Sequence, residues 1–379
     1  MNAPIHLLVA HPPRLAALLA LACASACSAP DRIRVSNDGR GFVFARSDAP
    51  FTPWGFNYDH DRTGRLLEEY WESEWATVEA DFREMRALGA TVARVHLQAG
   101  TFLEAPDRPR ERSLAMLDCL LRVAEETQVR LLLTGLGAYL KELNPPWYDA
   151  LDDDGRWRAQ EVFWRAVAAR CAVSPAVFAY DLMNEPVVAG APRPAGDWLG
   201  PPFAERYHFV QFIALDPKGW ARADVARDWT RRMASAVRAG DPSALVTVGL
   251  VDWSLDRPGL TSGFVPSAIA PEVDFLCVHV YPETGKLDAA TETLKGFSVG
   301  KPLVVEETFP LRCSFQEFET FLRTSRRHAS GWIGFYWGQT PEELKSSSQL
   351  ADAIVLKWLD LFQALGGEFR DGRTIPASP

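Results

Sequence analysis

The chain has 379 residues, of which 47% are hydrophobic, 23% charged and 11% aromatic. This composition can bury a large core, which excludes intrinsic disorder and collagen-like repeats. The formal charge of −9 comes without a basic stripe and therefore argues against a nucleic-acid partner. Thirteen Trp and eight Tyr residues supply flat rings with polar edges, which suit the faces of sugars.

In the first 26 residues, a basic residue, an apolar run and small residues follow one another in the order typical of a secretory signal. A short apolar run, 15–22, follows Arg14, and small residues continue to Ala26. The run is too short to span a membrane. Cleavage after Ala26 would make Cys27 the first residue, and residues 24–27 resemble a bacterial lipoprotein box, although an ordinary signal-peptidase site fits equally well. Both alternatives predict export, as a secreted or periplasmic protein or as a lipoprotein anchored at the bacterial cell surface through Cys27.

The next segment predicts a short cap followed by alternating strands and helices. Alternating runs between Arg32 and Tyr58 are interrupted by Asn37-Asp38-Gly39, which predicts an N-terminal β-hairpin. From residue 73 onwards, amphipathic helices alternate with apolar strands, and the last helix covers 350–365. The predicted strands cover residues 53–57, 91–97, 129–136, 177–183, 245–251, 275–280, 303–307 and 332–337.

This alternation predicts the fold class. Strands that alternate with helices pair in parallel, and about eight such units favour a closed (β/α)8 TIM barrel over an open sheet. No glycine-rich phosphate-binding motif follows any strand, which argues against a nucleotide-binding doubly wound fold. The sequence therefore predicts an α/β protein with one barrel domain over residues 27–379 and a short N-terminal β-hairpin cap.

Beyond Cys27 the chain has four more cysteines, Cys119, Cys171, Cys277 and Cys313, and their spacing is too wide for a zinc site. Cys277 lies on an apolar strand in phase with His279, so we expect it to pack in the interior as a small hydrophobic residue. A disulfide between Cys119 and Cys171 stays open, as does the pairing of Cys313. The sequence predicts no metal and no cofactor.

Polar residues occupy the predicted carboxyl ends of the strands, where the active sites of such barrels lie. Glycoside hydrolysis requires two carboxylates on facing strand ends, one to protonate the leaving oxygen and one to attack or to activate water. Glu185 and Glu307 meet this requirement. The full set is Asn57, Arg94, His96, Asn184, Glu185, His279, Tyr281, Glu306, Glu307 and Trp337.

Three of these strand ends carry recognisable motifs: DLMNEP at Asp181 to Pro186, HVY at His279 to Tyr281, and KPLVVEE at Lys301 to Glu307. With them the sequence resembles glycoside hydrolase family 5, the cellulase-like family of the retaining clan A. Arg94 and Trp337 also fall where that family places its residues.

The resemblance implies a role for each residue. Glu185 corresponds to the general acid/base and Glu307 to the nucleophile. Asn184 would hold the sugar 2-hydroxyl, Arg94 would keep the nucleophile ionised, and Tyr281 would contact it. Trp337 would stack under the reacting sugar. His279 and Tyr281 are two residues apart on a strand and therefore share a face, so both would serve one pocket.

Two features depend on details of the fold. Strand alternation lets only one of Glu306 and Glu307 point inward, and the family pattern selects Glu307, although a register shift of one residue would exchange their roles. The long segment between Pro186 and Trp220 predicts a pocket rather than an open groove. Trp198 or Phe203 would then stack on a bound sugar, or these aromatic residues would simply pack the segment onto the barrel.

The sequence thus predicts a retaining hydrolase that cleaves β-linked glycans, of β-mannan or β-glucan type, by double displacement with two Glu residues. Its partner would be an oligosaccharide or polysaccharide. The alternative is a non-catalytic surface glycan-binding protein on the same scaffold, which would have no reason to keep a paired acid and nucleophile. The sugar, the linkage, endo or exo action and the oligomeric state stay open.

Overall fold

The computed structural model describes residue 1, residues 31–257 and residues 260–370. Within this part of the chain, eight strands form one parallel sheet in the order β5-β4-β3-β2-β1-β8-β7-β6. The strands are β1 (Trp54–Tyr58), β2 (Val92–Gln98), β3 (Arg130–Gly137), β4 (Val177–Asn184), β5 (Val246–Gly249), β6 (Leu276–His279), β7 (Leu303–Thr308) and β8 (Gly331–Gly334).

The two outer strands of this order meet and close the sheet. The nitrogen of His279 donates a backbone hydrogen bond to the oxygen of Leu250 at 2.8 Å, and Val251 forms a parallel bridge with His279. The predicted TIM barrel is confirmed. From residue 31 onward the chain forms one compact unit.

Seven longer helices of the described chain alternate with the strands. They are α1 (Trp75–Ala87), α2 (Glu111–Thr127), α3 (Asp153–Cys171), α4 (Arg222–Gly240), α5 (Leu287–Phe297), α6 (Phe315–Ser325) and α7 (Leu350–Arg370). Between β5 and β6 the described residues form only short helical turns, Asp252–Ser254, Pro266–Ile269 and Ala270–Glu272. No helix in the described residues has the length and apolar character needed to cross a membrane.

The predicted hairpin cap is confirmed and carries one additional strand. Ile33–Val35, Phe42–Phe44 and Pro50–Phe51 form a three-stranded antiparallel sheet. The ring of Phe42 contacts Phe178 and Phe275 edge to face, with centroid distances of 5.0 and 5.1 Å. Because Phe178 and Phe275 lie at the amino ends of β4 and β6, the cap covers the lower opening of the barrel.

The lower half of the barrel interior is apolar. Val92, Leu132, Val304 and Ile333 are completely buried there together with Cys277, which packs as the sequence predicted. Cys277, Cys119, Cys171 and Cys313 are all free thiols, so the disulfide left open between Cys119 and Cys171 is absent from the structure. The signal and the lipid-anchor residue Cys27 lie outside the described residues, and export therefore stays a prediction.

Candidate active site

Arg94 on β2 is the centre of the polar upper half of the barrel. The side chain is completely buried, and its guanidinium donates hydrogen bonds to four oxygens. A buried guanidinium is tolerated only where carboxylates and hydrogen bonds replace its water, and this shell does so. The acceptors and their distances are Asn57 Oδ1 at 2.9 Å, Glu307 Oε1 at 2.7 Å, Asp181 Oδ2 at 2.7 Å and Asn184 Oδ1 at 3.0 Å.

Glu185 follows β4 directly and turns its side chain towards the centre of the strand ends. Its backbone φ is +47°, a left-handed conformation that costs a non-glycine residue about 1 kcal/mol or more. The conformation is held by a hydrogen bond of 2.9 Å from its nitrogen to the oxygen of Gly249. The carboxylate is 20% exposed, and its Oε1 lies 2.8 Å from Nδ1 of His279.

Glu307 on β7 has both carboxylate oxygens fixed by donors. Arg94 donates to Oε1, and the hydroxyl of Tyr281 donates to Oε2 at 2.8 Å. Burial raises the pKa of Glu307 above its ordinary value, while His279 and Arg94 act against that rise. A carboxylate held on both oxygens keeps a single orientation, which suits a group that has to approach a carbon atom along one line.

Glu306 also points into the barrel, although alternation predicted that only one of the two glutamates would. In the pairing of β6 with β7, Val278 lies opposite Val305 but His279 lies opposite Glu307, so one extra residue is accommodated in β7. This bulge turns both carboxylates inward at different depths. Glu306 is completely buried below the site, whereas Glu307 lines the open cavity.

The cavity above these residues has a volume of about 630 Å³. Its floor includes Glu185, Glu307, His279 and Tyr281. Its walls come from loops after several strands and include Asp59, His60, Phe203, Tyr207, Phe209, Trp253, Leu311, Phe335 and Tyr336. A second depression of about 730 Å³ beside α3 and α4, around Trp220, contains none of the site residues.

Comparison with protein families adds an independent finding to this geometry. A family model described as Cellulase (glycosyl hydrolase family 5) matches residues 55–308, about two thirds of the chain. The chain belongs to glycosyl hydrolase family 5. The resemblance predicted from the strand-end motifs is thereby confirmed.

Among curated relatives, the chain is 25% identical over 262 residues to mannan endo-1,4-β-mannosidase A of Podospora anserina. It is 22% identical over 278 residues to mannan endo-1,4-β-mannosidase F of Aspergillus clavatus. The matches cover 59% and 66% of this chain but only 60% and 55% of the relatives. The chain thus spans less than two thirds of the length of these relatives.

Solved structures show the same fold. Exo-β-1,4-mannosidase Op5Man5 from Opitutaceae bacterium strain TAV5 superposes with a TM-score of 0.65 at 17% identity, covering 89% of this chain and 63% of that one. The endo-1,4-β-mannanase of Rhizomucor miehei gives a TM-score of 0.60 at 15% identity over 88% and 99% of the two chains. At these identities the similarity establishes the barrel alone.

Most site residues predicted from the family 5 motifs meet in one cluster. Direct hydrogen bonds connect Arg94, Asn184, Tyr281 and Glu307, and another joins His279 to Glu185. Nδ1 of His279 lies 3.5 Å from Oε2 of Glu307 and brings the two groups together. The amide of Asn184 accepts from Arg94 and donates to the oxygen of Phe209 at 3.2 Å, which fixes its orientation. The roles that the resemblance assigns to these residues stay predictions.

Trp337 does not join the cluster. The side chain is 1% exposed, packs against Phe56 with a centroid distance of 5.4 Å and does not line the cavity. The predicted strand 332–337 is too long, because β8 ends at Gly334. Phe335 and Tyr336 line the cavity instead, and the stacking role expected of Trp337 has no geometric support. In the sequence, the two aromatic residues directly before Trp337 were the feature that could have indicated this cavity lining.

In the long segment after β4, one of the two predicted aromatic residues packs against the barrel and the other lines the cavity. Trp198 is buried and donates from its indole nitrogen to Asp149 at 2.7 Å, so it packs the segment onto the barrel. Phe203 is 69% exposed and lines the cavity. His96, which was among the predicted strand-end residues, is buried, and its Nδ1 contacts the hydroxyl of Tyr139, two residues beyond β3. Burial and Arg94 lower the pKa of His96 well below its ordinary value, so this imidazole is neutral.

Glu185, His279 and Glu307 each offer a donor atom, and these atoms lie within 4.8 Å of one another. Spacing alone would admit a metal ion. Two basic side chains already contact these carboxylates, however. Arg94 contacts Glu307 directly, and although burial opposes it, the surrounding glutamates raise the pKa of His279 to about 10. A metal ligand has to be deprotonated, so the cluster as it stands does not fit a metal.

Proposed function

We propose that this protein is a retaining glycoside hydrolase that cleaves β-linked, mannose-containing glycans, with Glu185 as general acid/base and Glu307 as nucleophile. The observation that carries the proposal is the proximity of the two carboxylates, whose nearest oxygens lie within 4.8 Å. Retaining enzymes hold their carboxyl groups about 5 to 5.5 Å apart, whereas inverting enzymes leave about 6.5 to 9.5 Å for a water molecule.

The chemistry follows from the orientation of the two groups. Glu307 attacks the anomeric carbon while Glu185 gives its proton to the departing glycosidic oxygen, which produces a glycosyl ester on Glu307. Glu185 then takes a proton from water, the resulting hydroxide displaces Glu307 from the anomeric carbon, and both carboxyls return to their starting states. Arg94 and Tyr281 stabilise Glu307 as the leaving carboxylate in this second step.

The mannose preference rests on the curated mannan mannosidases and the mannosidase structures to which the chain is similar. A β-glucan substrate is the other member of the predicted class. The cavity wall carries polar groups that could contact hydroxyls of a bound sugar. Asp59 accepts hydrogen bonds from the nitrogen of His60 at 3.0 Å and from its Nδ1 at 2.8 Å, which leaves its second oxygen for a hydroxyl.

We further propose a closed pocket that accepts chain ends or short oligosaccharides. Tyr207 connects three loops: it lies in the segment after β4, forms a β-bridge with Leu140 beyond β3, and donates from its hydroxyl to the oxygen of Gly64 beyond β1 at 2.7 Å. Its ring stacks on Phe209 with an interplanar angle of 11°. A wall held at three points blocks a polymer from passing over that side of the barrel.

The decisive experiment combines hydrolysis assays with trapping of the intermediate. Purified protein is assayed on aryl β-mannosides, aryl β-glucosides, manno-oligosaccharides and mannan, and an activated 2-deoxy-2-fluoro-β-mannoside is used as the trap. We expect a covalent adduct on Glu307 by peptide mass spectrometry and release of the β-anomer in the first turnovers. An adduct on Glu306, or first release of the α-anomer, would contradict the assignment.

Glu185→Gln and Glu307→Gln should each reduce turnover by about 10²- to 10⁴-fold or more. Glu126→Gln, an exposed change on α2, is the matched control and should leave activity unchanged. If wild-type protein binds oligosaccharides but releases no product, and both active-site variants bind equally well, the glycan-binding alternative is correct.

A further inference from the structure

Three buried polar groups without hydrogen-bond partners among the described residues meet directly below the two catalytic glutamates. They are Nε of Arg94, Nε2 of His279 and both carboxylate oxygens of Glu306. Oε1 of Glu306 lies 3.4 Å from Nε of Arg94, and Oε2 lies 3.5 Å from Nε2 of His279. A buried carboxylate without hydrogen bonds is unfavourable unless neighbouring charges compensate it, and these two cations are placed to do so.

The local structure holds Glu306 in this place. Regular strand alternation from Val304 points its side chain inward, and the facing strand β5 has a glycine, Gly249, beside it. A Cβ atom at Gly249 would approach Oε2 of Glu306 to 3.0 Å and Arg94 to 2.8 Å. Glu306 therefore occupies a space that the neighbouring strand leaves open, and its two oxygens face the two cations.

We propose that Glu306 is a positioning residue that keeps the His279 ring doubly protonated, with Nε2–H facing Glu306 and Nδ1–H donated to Glu185. An imidazolium has two donors and no acceptor, whereas a neutral imidazole offers one ring nitrogen as an acceptor. With Nδ1 always a donor, His279 cannot withdraw the proton that Glu185 needs for the leaving oxygen. This catalytic consequence rests on the proposed hydrolase function, whereas the protonation state of His279 does not.

The charges around His279 favour this state. Burial alone lowers the pKa of His279, but the surrounding carboxylates outweigh it and raise the pKa to about 10. Arg94 and His279 in turn hold the pKa of Glu306 below its ordinary value in spite of burial. The titratable groups that face this pair are Glu185 beyond β4, Asp181 on β4, Glu307 on β7, Arg94 and His96 on β2, and Cys277 and Tyr281 on or beyond β6.

The test is a direct titration of His279 by ¹⁵N NMR of histidine-labelled protein, with the resonance assigned through His279→Gln. In the wild type we expect both ring nitrogens to stay protonated at pH 8. Glu306→Gln keeps the shape but removes the charge, and it should lower the pKa of His279 by at least about one unit, because a charge at this distance is worth a few kcal/mol at an effective dielectric constant near 20. Glu306→Asp keeps the charge and should keep His279 protonated at pH 8.

Enzyme activity provides a second test with the same two variants. In Glu306→Gln the alkaline limb of the kcat/KM profile, which reports the general acid Glu185, should shift because the charge on its neighbour His279 changes, while Glu306→Asp should retain the wild-type limb. If Glu306 had a purely structural role, Glu306→Asp, which leaves the larger void, would be the more damaging substitution. The alkaline limb would then stay in place in both variants.

A neutral His279 in the wild type at pH 8 would overturn the inference, and this measurement requires no variant of Glu306. An unchanged His279 titration in folded Glu306→Gln would also overturn it. If the NMR result is as expected but no glycan is hydrolysed, the inference on His279 stands and the proposed function fails.

Discussion

The two ends of the barrel interior use the same strands in opposite ways. At the lower end Val92, Leu132 and Val304 form part of an apolar layer that the phenylalanines of the cap cover. Two residues further along the same strands, at the next inward position, stand Arg94, Thr134 and Glu306. One step along three strands therefore changes a hydrocarbon layer into a layer of buried charges and hydroxyls.

The difference shows what each end depends on. The lower layer is stabilised by burial of apolar surface, which adds up residue by residue. The upper layer is tolerated only as a complete set, because each charge is compensated by its neighbours and removal of one leaves the others unpaired. We therefore expect substitutions in the upper layer to have coupled, pH-dependent effects on the free energy of unfolding. Substitutions in the lower layer should have independent effects that do not change with pH.

The largest effect is expected from Arg94→Met, which removes the cation and retains much of the side-chain volume. Asp181, Glu306 and Glu307 would then face one another, and the free energy of unfolding should fall by about 3 to 5 kcal/mol. The loss should be smaller at pH 5 than at pH 8, because protonation of the carboxyls relieves their repulsion. Urea unfolding at both pH values measures this, and an equal loss at the two would contradict a charge-based role.

A comparable but pH-independent effect is expected from Leu132→Ala in the lower layer. The side chain is completely buried, so its truncation should cost about 2 to 5 kcal/mol through lost burial and the cavity left behind. The same urea experiment should give the same loss at pH 5 and pH 8. A pH-dependent loss here would mean that the two layers are coupled rather than separate.

The apolar layer explains why the fold could be predicted well from the sequence. The alternation of strands and helices depends on local periodicity, and the structure brings the predicted residues Arg94, Asn184, Glu185, His279, Tyr281 and Glu307 together at one end of the barrel. The predictions that failed concern features that depend on pairing between strands. The bulge that brings Glu307 inward beside Glu306 is visible only in the register of β6 against β7, and β8 ends at Gly334, before the predicted residue 337.

The loop contacts were equally out of reach. The segment after β4 was expected to restrict the cavity, and its aromatic residues were noted, but the hydrogen bond from Tyr207 to Gly64 joins residues 143 positions apart. Nothing in local composition distinguishes Phe203, which lines the cavity, from Trp198, which is buried. Asp181, a direct partner of Arg94, was quoted only as part of a motif, because it precedes the end of β4 and its carboxylate lies deeper in the barrel than the strand end.

A smaller effect should come from Glu68→Gln beside the upper layer. Oε1 of Glu68 accepts from the nitrogen of Gln98 at 2.7 Å while Oε2 is buried without a partner among the described residues. Burial raises the pKa of Glu68 to about 7. The folded wild type thus binds a proton that the unfolded chain has released, and it loses stability as pH rises from the ordinary glutamate value through 7.

Glutamine carries no such proton, so the stability of Glu68→Gln relative to wild type should increase by about 3 kcal/mol between pH 4 and pH 8. Thermal unfolding at the two pH values provides the measurement. Glu126→Gln on α2 serves as the control and should show no such gain. A constant difference across the range would mean that Glu68 titrates normally.

The smallest effect is expected from Tyr207→Phe, which removes one hydrogen bond from the wall above the charged layer and keeps the ring stacked on Phe209. A single hydrogen bond of this kind contributes about 1 kcal/mol, so global stability should change little. If the bond to Gly64 keeps the pocket closed, its loss should raise kcat/KM on mannan relative to mannobiose by about fivefold, the equivalent of 1 kcal/mol. Tyr148→Phe removes a buried hydrogen bond to Gln160 away from the cavity and should leave that ratio unchanged. An unchanged ratio in Tyr207→Phe as well would separate specificity from the wall and assign it to the floor of the cavity.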